Sequence, residues 1–227
     1  MDEMKNSEVW EAIFASKESG KYPPASLIRF IARNYYSAID RKNIKILEIG
    51  SGTGPNIWYL VREGFTVFGI ESSPTGREIT LARIREEELD LDQSTILLGN
   101  YLEIIDNFDN DYFDAIIDVE SLYLNSYDAT KKMIEKCFSK LKNGGLMFSQ
   151  TFSEKTTGMN EEELMYHSVR PVRGPLKNTG VARFTTKSDI QNLYKLEGNL
   201  IRGIGLQELH MANGDLISEW LIEVEKN

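Results

Sequence analysis

The chain is poor in the side chains that carry most covalent and metal chemistry: of 227 residues, one is cysteine and two are histidine. A single cysteine excludes an intrachain disulfide, and a chain of this length can bury a full α/β core without one. Cys137 lies in a stretch of helical periodicity, Lys132–Phe138, and reads as a small buried hydrophobe with no base near it in sequence. No His/Cys cluster stands at ligand spacing, so no metal is expected. Apolar runs near the ~20 residues of a membrane helix are missing. The polar start Met1–Asn6 has no apolar segment behind it, so no signal peptide is expected either. Positive charge is also short, with 26 Lys+Arg against 35 Asp+Glu and a net charge of -9. Such a surface repels phosphate backbones, which makes nucleic acid a poor partner. These absences fit a protein of a reducing, cytoplasmic setting with no membrane partner; a monomer or homodimer is the expectation.

What is present is an alternation. Residues 7–39 read as two helices, with Trp10, Ile13 and Phe14 at helical spacing, then Leu27, Phe30, Ile31 and Tyr35 after Pro23-Pro24. From residue 44, short apolar runs at 44–49, 66–70, 95–98, 113–119 and 146–152 read as strands. Helices are expected between them: at 55–63 before Gly64, from Ser73-Pro74 to about 88, and at 130–141, closed by Asn143-Gly144-Gly145. This pattern predicts a parallel sheet wound on both faces. Residues 153–184 are polar and aperiodic, the signature of a lid or binding loop, with room for a short helix at 161–165. Thr186-Lys187-Ser188-Asp189 resembles a capping box and opens a helix to about Leu196. Asn213-Gly214 between two alternating runs predicts a final hairpin. The expected fold is therefore a doubly wound, mostly parallel α/β sheet of seven strands ending in an antiparallel hairpin. It forms one domain over 1–227: a helical cap at 1–40, a core at 41–152, a lid at 153–184, and a C-terminal helix and hairpin at 185–227.

The chemistry concentrates at Glu48-Ile49-Gly50-Ser51-Gly52-Thr53-Gly54, between a strand and a helix. Glycines there allow positive φ and close approach of backbone to a ligand, and the helix N-terminus offers free N–H groups. Glu71 closes the next strand, 21 residues after Gly50, where a carboxylate can accept two ribose hydroxyls. The dinucleotide fingerprint G-x-G-x-x-G fails in both registers, because Pro55 and Ile57 stand where its third small residue belongs. That argues against a nicotinamide-dependent dehydrogenase.

What remains, E-x-G-x-G-x-G with a strand-end acid, resembles the class I (Rossmann-like) S-adenosylmethionine-dependent methyltransferases over roughly residues 44–225. The resemblance implies S-adenosyl-L-methionine as cofactor and assigns residues to it. Gly50, Ser51, Gly52 and Gly54 would pass beneath its methionine and ribose, Glu48 would meet the methionine amino group, and Glu71 the ribose. Ser72 would flank the adenine. Asn100, in Gly99-Asn100-Tyr101, stands where an Asp usually meets the adenine amino group. Asp118-Val119-Glu120 would face the methionine end.

The acceptor is less constrained. A small molecule with an O, N or S nucleophile fits an acidic chain of this length with a lid, while a protein acceptor and a non-catalytic cofactor binder stay open. His167, inside 153–184, is the candidate general base, and His210 lies in the hairpin. Arg170 and Arg173 could clamp an anionic acceptor or could be surface charge. Tyr22, at the Gly20-Lys21-Tyr22-Pro23 break, and Tyr123 are candidate substrate contacts; Trp10 and Phe14 would help close the pocket.

Overall fold

A computed structural model describes residues 3–16 and 20–227, with side chains from Asn6 onward in the first helix. The extreme start, Met1 and Asp2, lies outside the described residues. Helices α1 (Glu3–Ser16) and α2 (Ala25–Tyr35) precede the sheet. The α/β core then runs β1 (Lys45–Ile49), α3 (Pro55–Arg62), β2 (Thr66–Glu71), α4 (Pro74–Glu86), β3 (Ile96–Leu98) and the short α5 (Tyr101–Ile104). It continues through β4 (Phe113–Val119), α6 (Tyr127–Lys140) and β5 (Leu141–Phe152). Two short strands, β6 (Ser168–Val169) and β7 (Ala182–Arg183), precede α7 (Lys187–Tyr194) and the hairpin β8 (Asn199–His210) and β9 (Leu216–Lys226).

The seven-stranded sheet has the order β3-β2-β1-β4-β5-β9-β8. The first five are parallel neighbours, and β9 inserts antiparallel between β5 and β8. The chain order reverses at β1, beside β4, and the crevice at a reversal is where such sheets bind ligands. Both faces are covered. Leu27, Phe30 and Ile31 of α2 and Leu60 of α3 pack on one face around Phe148. Met133, Ile134 and Cys137 of α6, with Ile190 and Tyr194 of α7, fill the other. Cys137 is fully buried, and burial pushes its thiol up, so it is a packing group.

Local signals explain most boundaries. Ser73 caps α4 by accepting from Gly76 N at 2.8 Å, with Pro74 at the first position. The capping box of α7 is complete: Thr186 Oγ1 accepts from Asp189 N, and Asp189 accepts from Thr186 N at 2.8 Å. Two expectations need correction, and segment 153–184 adds a structural detail. Helix α6 ends at Lys140, and Asn143-Gly144-Gly145 lies inside β5, where the pairing with β4 slips between Phe113↔Leu141 and Ala115↔Leu146. The glycines serve that bulge; a Cβ on Gly145 would sit 2.8 Å from Lys142 O. No helix forms at 161–165, which is bend and irregular chain ending in the Met165–Ser168 bridge. And 153–184, though aperiodic, packs a core of its own, in which Val169, Leu176, Ala182 and Phe184 close on Tyr123 and Phe152.

Candidate active site

The glycine turn leaves β1 and is tied at once to β2, Gly50 N and Ser51 N donating to Ile70 O at 2.9 and 3.1 Å. Gly50 and Gly54 hold φ of +66° and +77°. A Cβ on Gly50 would strike the Ser121 hydroxyl, and one on Gly54 would strike Thr80 of α4. The first position thus packs the turn against the loop after β4, and the second seats the start of α3 on α4. Glu71 braces the same turn from β2, accepting from Gly52 N at 2.6 Å and Ser73 N at 2.7 Å. Burial pushes its carboxyl up, and these donors oppose the push.

Glu48 is 1% exposed, and among the described residues no cation pairs with it. Asn56 Nδ2 donates to its Oε1 at 2.6 Å, while among the described residues its Oε2, Ser51 Oγ and Asn56 Oδ1 have no partner. Burial pushes Glu48 up to about 8, with Glu71 and Asp118 adding to the rise and Asn56 opposing it. A buried acceptor left unsatisfied costs on the order of 1–3 kcal/mol, so its persistence beside a cavity points to a ligand that supplies the donor.

That cavity measures about 880 Å³ and opens at the C-terminal ends of the strands. Glu48, Gly50, Ser51 and Gly52 form its floor; Glu71 and Ser72 stand at one side, and Asn100 and Tyr101 beside them. Val119 and Glu120 close the other end. Asn100 caps α5, its Oδ1 accepting from Leu102 N at 3.0 Å, and Asn125 Nδ2 donates to the Tyr101 hydroxyl at 2.6 Å. Helix α1 forms the roof through Asn6, Ser7, Trp10 and Phe14. It is pinned at two points. Glu11 accepts from the Ser73 and Thr75 hydroxyls and from Thr75 N at 3.2 Å. Asn6 donates to Leu124 O at 2.8 Å and accepts from Val181 N at 3.1 Å.

Several expected site residues are placed elsewhere. Gly54 does not line the cavity; its place is under α3. Asp118 is fully buried and turned inward, accepting from Ser121 N, Leu122 N and Ser149 Oγ at 3.1, 2.9 and 2.5 Å. Strand alternation sends Val119 to the cavity and Asp118 to the opposite face, where it shapes the turn carrying Glu120. His167 also lies off the cavity: its Nδ1 is 2.8 Å from Asp189 Oδ2 and its ring stacks on Tyr166. Burial pushes Asp189 up, but donors from Thr186, His167 and Tyr166 outweigh it and hold the carboxyl low. That pairing anchors 153–184 to α7. Arg170 is exposed, and Arg173 lies 3.6 Å from Glu161 at the surface; neither reaches the cavity. Tyr22 lines its mouth, edge-on to Trp58 with ring centroids 5.6 Å apart. Tyr123 is buried edge-on against Phe152 and faces a different cavity. His210 is exposed on β8. The glycine motif gave no hint of Asn56, Ser121 or Asn125, whose partners are set by the fold; Asn56 sits in the first turn of α3, the one place a sequence signal could have pointed.

A doubly wound sheet with a glycine turn, a strand-end carboxylate and a cavity at the strand reversal defines the class I, Rossmann-like S-adenosylmethionine-binding proteins. Within that class the chain belongs to a methyltransferase-domain family, whose model matches residues 40–198, well over half its length. It is an S-adenosylmethionine-dependent methyltransferase. Solved structures share the fold. An S-adenosylmethionine-dependent methyltransferase from Methanosarcina mazei is 19% identical at a TM-score of 0.68, covering 86% of this chain and 96% of that one. The magnesium protoporphyrin IX methyltransferase of Synechocystis PCC 6803, solved with S-adenosylmethionine bound, is 12% identical at 0.62, covering 99% and 81%. A cyclase, SpnF, is 14% identical at 0.64, covering 98% and 94%. A search of curated proteins by sequence returns no match. Among the described residues, no helix is long and apolar enough to cross a membrane, and no group of His, Cys, Asp and Glu is arranged to hold a metal ion.

Proposed function

We propose that the enzyme methylates a small molecule by in-line displacement within a cavity roofed by α1. The observation that carries this reading is the enclosed acid Glu48, with an unpartnered oxygen at the floor of a cavity whose far side holds Glu71. A cationic amino group beside Glu48 and a vicinal diol beside Glu71 are what these two carboxyls fit, and S-adenosylmethionine has both. When bound, it supplies a methyl carbon made electrophilic by a sulfonium, with the sulfur as leaving group. Glu48, Ser51 and Asn56 would hold its methionine end, and the Gly50–Gly52 backbone would lie beneath it. Ser72, Asn100 and Tyr101 would border the adenine, and Val119 and Glu120 the reacting end. Trp10 and Phe14 exclude water from above. Such a site accelerates displacement by alignment and by removing water, with little covalent help. The closed roof and the net charge of -9 favour a small, non-nucleic-acid acceptor.

Glu71→Ala is the direct test. It removes two charge-assisted hydrogen bonds to the ribose, so calorimetric affinity for S-adenosylhomocysteine should fall by about 10²-fold. Unchanged affinity would remove the ribose assignment. Product analysis with small acceptors and with a protein extract tests the acceptor class; label transferred only to protein would overturn the small-molecule reading.

A further inference from the structure

Beside the first cavity lies a second of about 520 Å³, which shares Trp10 and Glu120 with it. It runs between segment 153–184 and the hairpin. Its walls are apolar and aromatic, from Tyr123, Phe152, Leu176 and Ile217. Its charged groups are all acidic: Glu120, Glu208 and Glu219. Lys155 meets Glu208 at 3.1 Å, but Glu120 and Glu219 have no ion-pair partner among the described residues. Gln150 Nε2 draws these two together, donating to Glu120 Oε1 at 3.3 Å and to Glu219 Oε1 at 2.9 Å. Its orientation is fixed from behind, where Ser26 Oγ donates to Gln150 Oε1 at 2.5 Å. Glu219 has its other oxygen held by Gln207 Nε2 at 2.8 Å. Glu120 meets Glu219 directly as well as through this bridge, and its backbone holds φ +55°, in the left-handed region that few non-glycine residues adopt.

We propose that this second cavity is the methyl-acceptor site and selects a compact amine on an apolar or aromatic body, with Glu120 as the group that takes its proton. The inference rests on the methyl-transfer reading above and names its substrate class. Once Glu120 is ionised, this acid pair without a cation repels an anionic acceptor, and a neutral alcohol leaves its charge uncompensated. An ammonium group satisfies both while its body fills the aromatic wall. Glu120 is also poised for the proton. Partial loss of hydration and the neighbouring Glu219 push its carboxyl up to about 8, while its exposed surface faces the two cavities it lines. The ammonium R–NH3+ gives one proton to the Glu120 carboxylate, which frees the nitrogen lone pair. That pair bonds the methyl carbon as the carbon–sulfur bond breaks, and the breaking pair stays on sulfur. The products are R–NH2+–CH3 and S-adenosylhomocysteine, with the Glu120 proton released to solvent.

The test uses the whole protein saturated with S-adenosylhomocysteine and three probes of similar shape: 2-phenylethylamine, 2-phenylethanol and 3-phenylpropionate. By calorimetry near pH 8, the amine should bind at least about tenfold more tightly than the other two. Equal or tighter binding of the alcohol or the carboxylate overturns the proposal. S-adenosylhomocysteine that fails to bind at all would instead strike the methyl-transfer reading. Amine affinity should also rise from about pH 6 to 8, by up to tenfold per unit, and level off above that as Glu120 becomes fully ionised. The other groups around Glu120 are Glu219, Asp118, Tyr123 and the Glu208–Lys155 pair. Glu219→Gln removes the like charge and should move that rise to lower pH, leaving S-adenosylhomocysteine affinity unchanged. A pH-independent affinity, or a rise unmoved by Glu219→Gln in folded variant, overturns the role of the pair. The wild-type probe series and pH profile decide the matter even if the variant does not fold.

Discussion

Glu48 shows how one side chain can be bad for the empty protein and good for the occupied one. In the folded state its carboxyl is lifted to about 8 by burial, against an ordinary value near 4.5 when the chain is unfolded. Between those two values the folded protein binds more protons than the unfolded one, so Glu48 makes stability fall as pH rises through that window. Glu48→Gln removes the penalty: cofactor-free protein should gain roughly 1–3 kcal/mol at pH 8, seen as a higher Tm, with little change near pH 4.5. The same variant should bind S-adenosylhomocysteine more weakly, since a neutral amide replaces the carboxylate offered to its amino group. Opposite signs in the two measurements are the expectation; a loss in both would mean that Glu48 is a structural group. The acids of this site were legible because each stands at a strand end with fixed spacing from the glycine turn. Asp118 has the same address and the opposite orientation, and only the pleat, which sequence position near a strand end leaves ambiguous by one residue, decides between them.

At the scale of elements, α1 and segment 153–184 divide the work of covering the two cavities. Aperiodic, glycine- and proline-bearing sequence reads as a moving lid, yet 153–184 packs Val169, Leu176 and Phe184 into a core and is fastened through His167 to Asp189. The roof over the donor cavity is instead α1, whose ordinary helical periodicity says nothing about what it covers. The information lies in Glu11 and Asn6, which meet partners 62 to 175 residues away. Such pairings follow from topology, and no local pattern encodes them. Asn143-Gly144-Gly145 failed as a helix stop for a related reason: a glycine pair marks unusual backbone, but a bulge and a cap need the same freedom. Glu11 is half-buried, and its carboxyl is held low by the Ser73 and Thr75 hydroxyls. Glu11→Ala should unpin α1 from α4. Release of S-adenosylhomocysteine, followed by stopped-flow fluorescence, should then speed up several-fold with the fold intact; an unchanged rate would show that α1 does not gate the cavity.

The whole molecule joins an open, mostly parallel nucleotide-type sheet to an antiparallel hairpin, and the join creates the second cavity. Glu120 comes from the turn after β4, Gln150 from β5, Glu219 from β9 and Gln207 from β8, so the acid pair exists only because β9 inserts beside β5. The sequence announced the hairpin through Asn213-Gly214 and the donor site through its glycines, while the meeting of the two remained invisible because it depends on strand order. The roof has a thermodynamic consequence. Trp10 faces both cavities, so the ordering of α1 is required once for two ligands. Donor and acceptor should therefore help each other: the amine raises affinity for S-adenosylhomocysteine by some factor, and S-adenosylhomocysteine raises amine affinity by the same factor. Calorimetric titration of each ligand with and without the other measures both factors. Equality above one makes the helix a shared ledger of order, and the enzyme a device that senses whether both partners of its reaction are present.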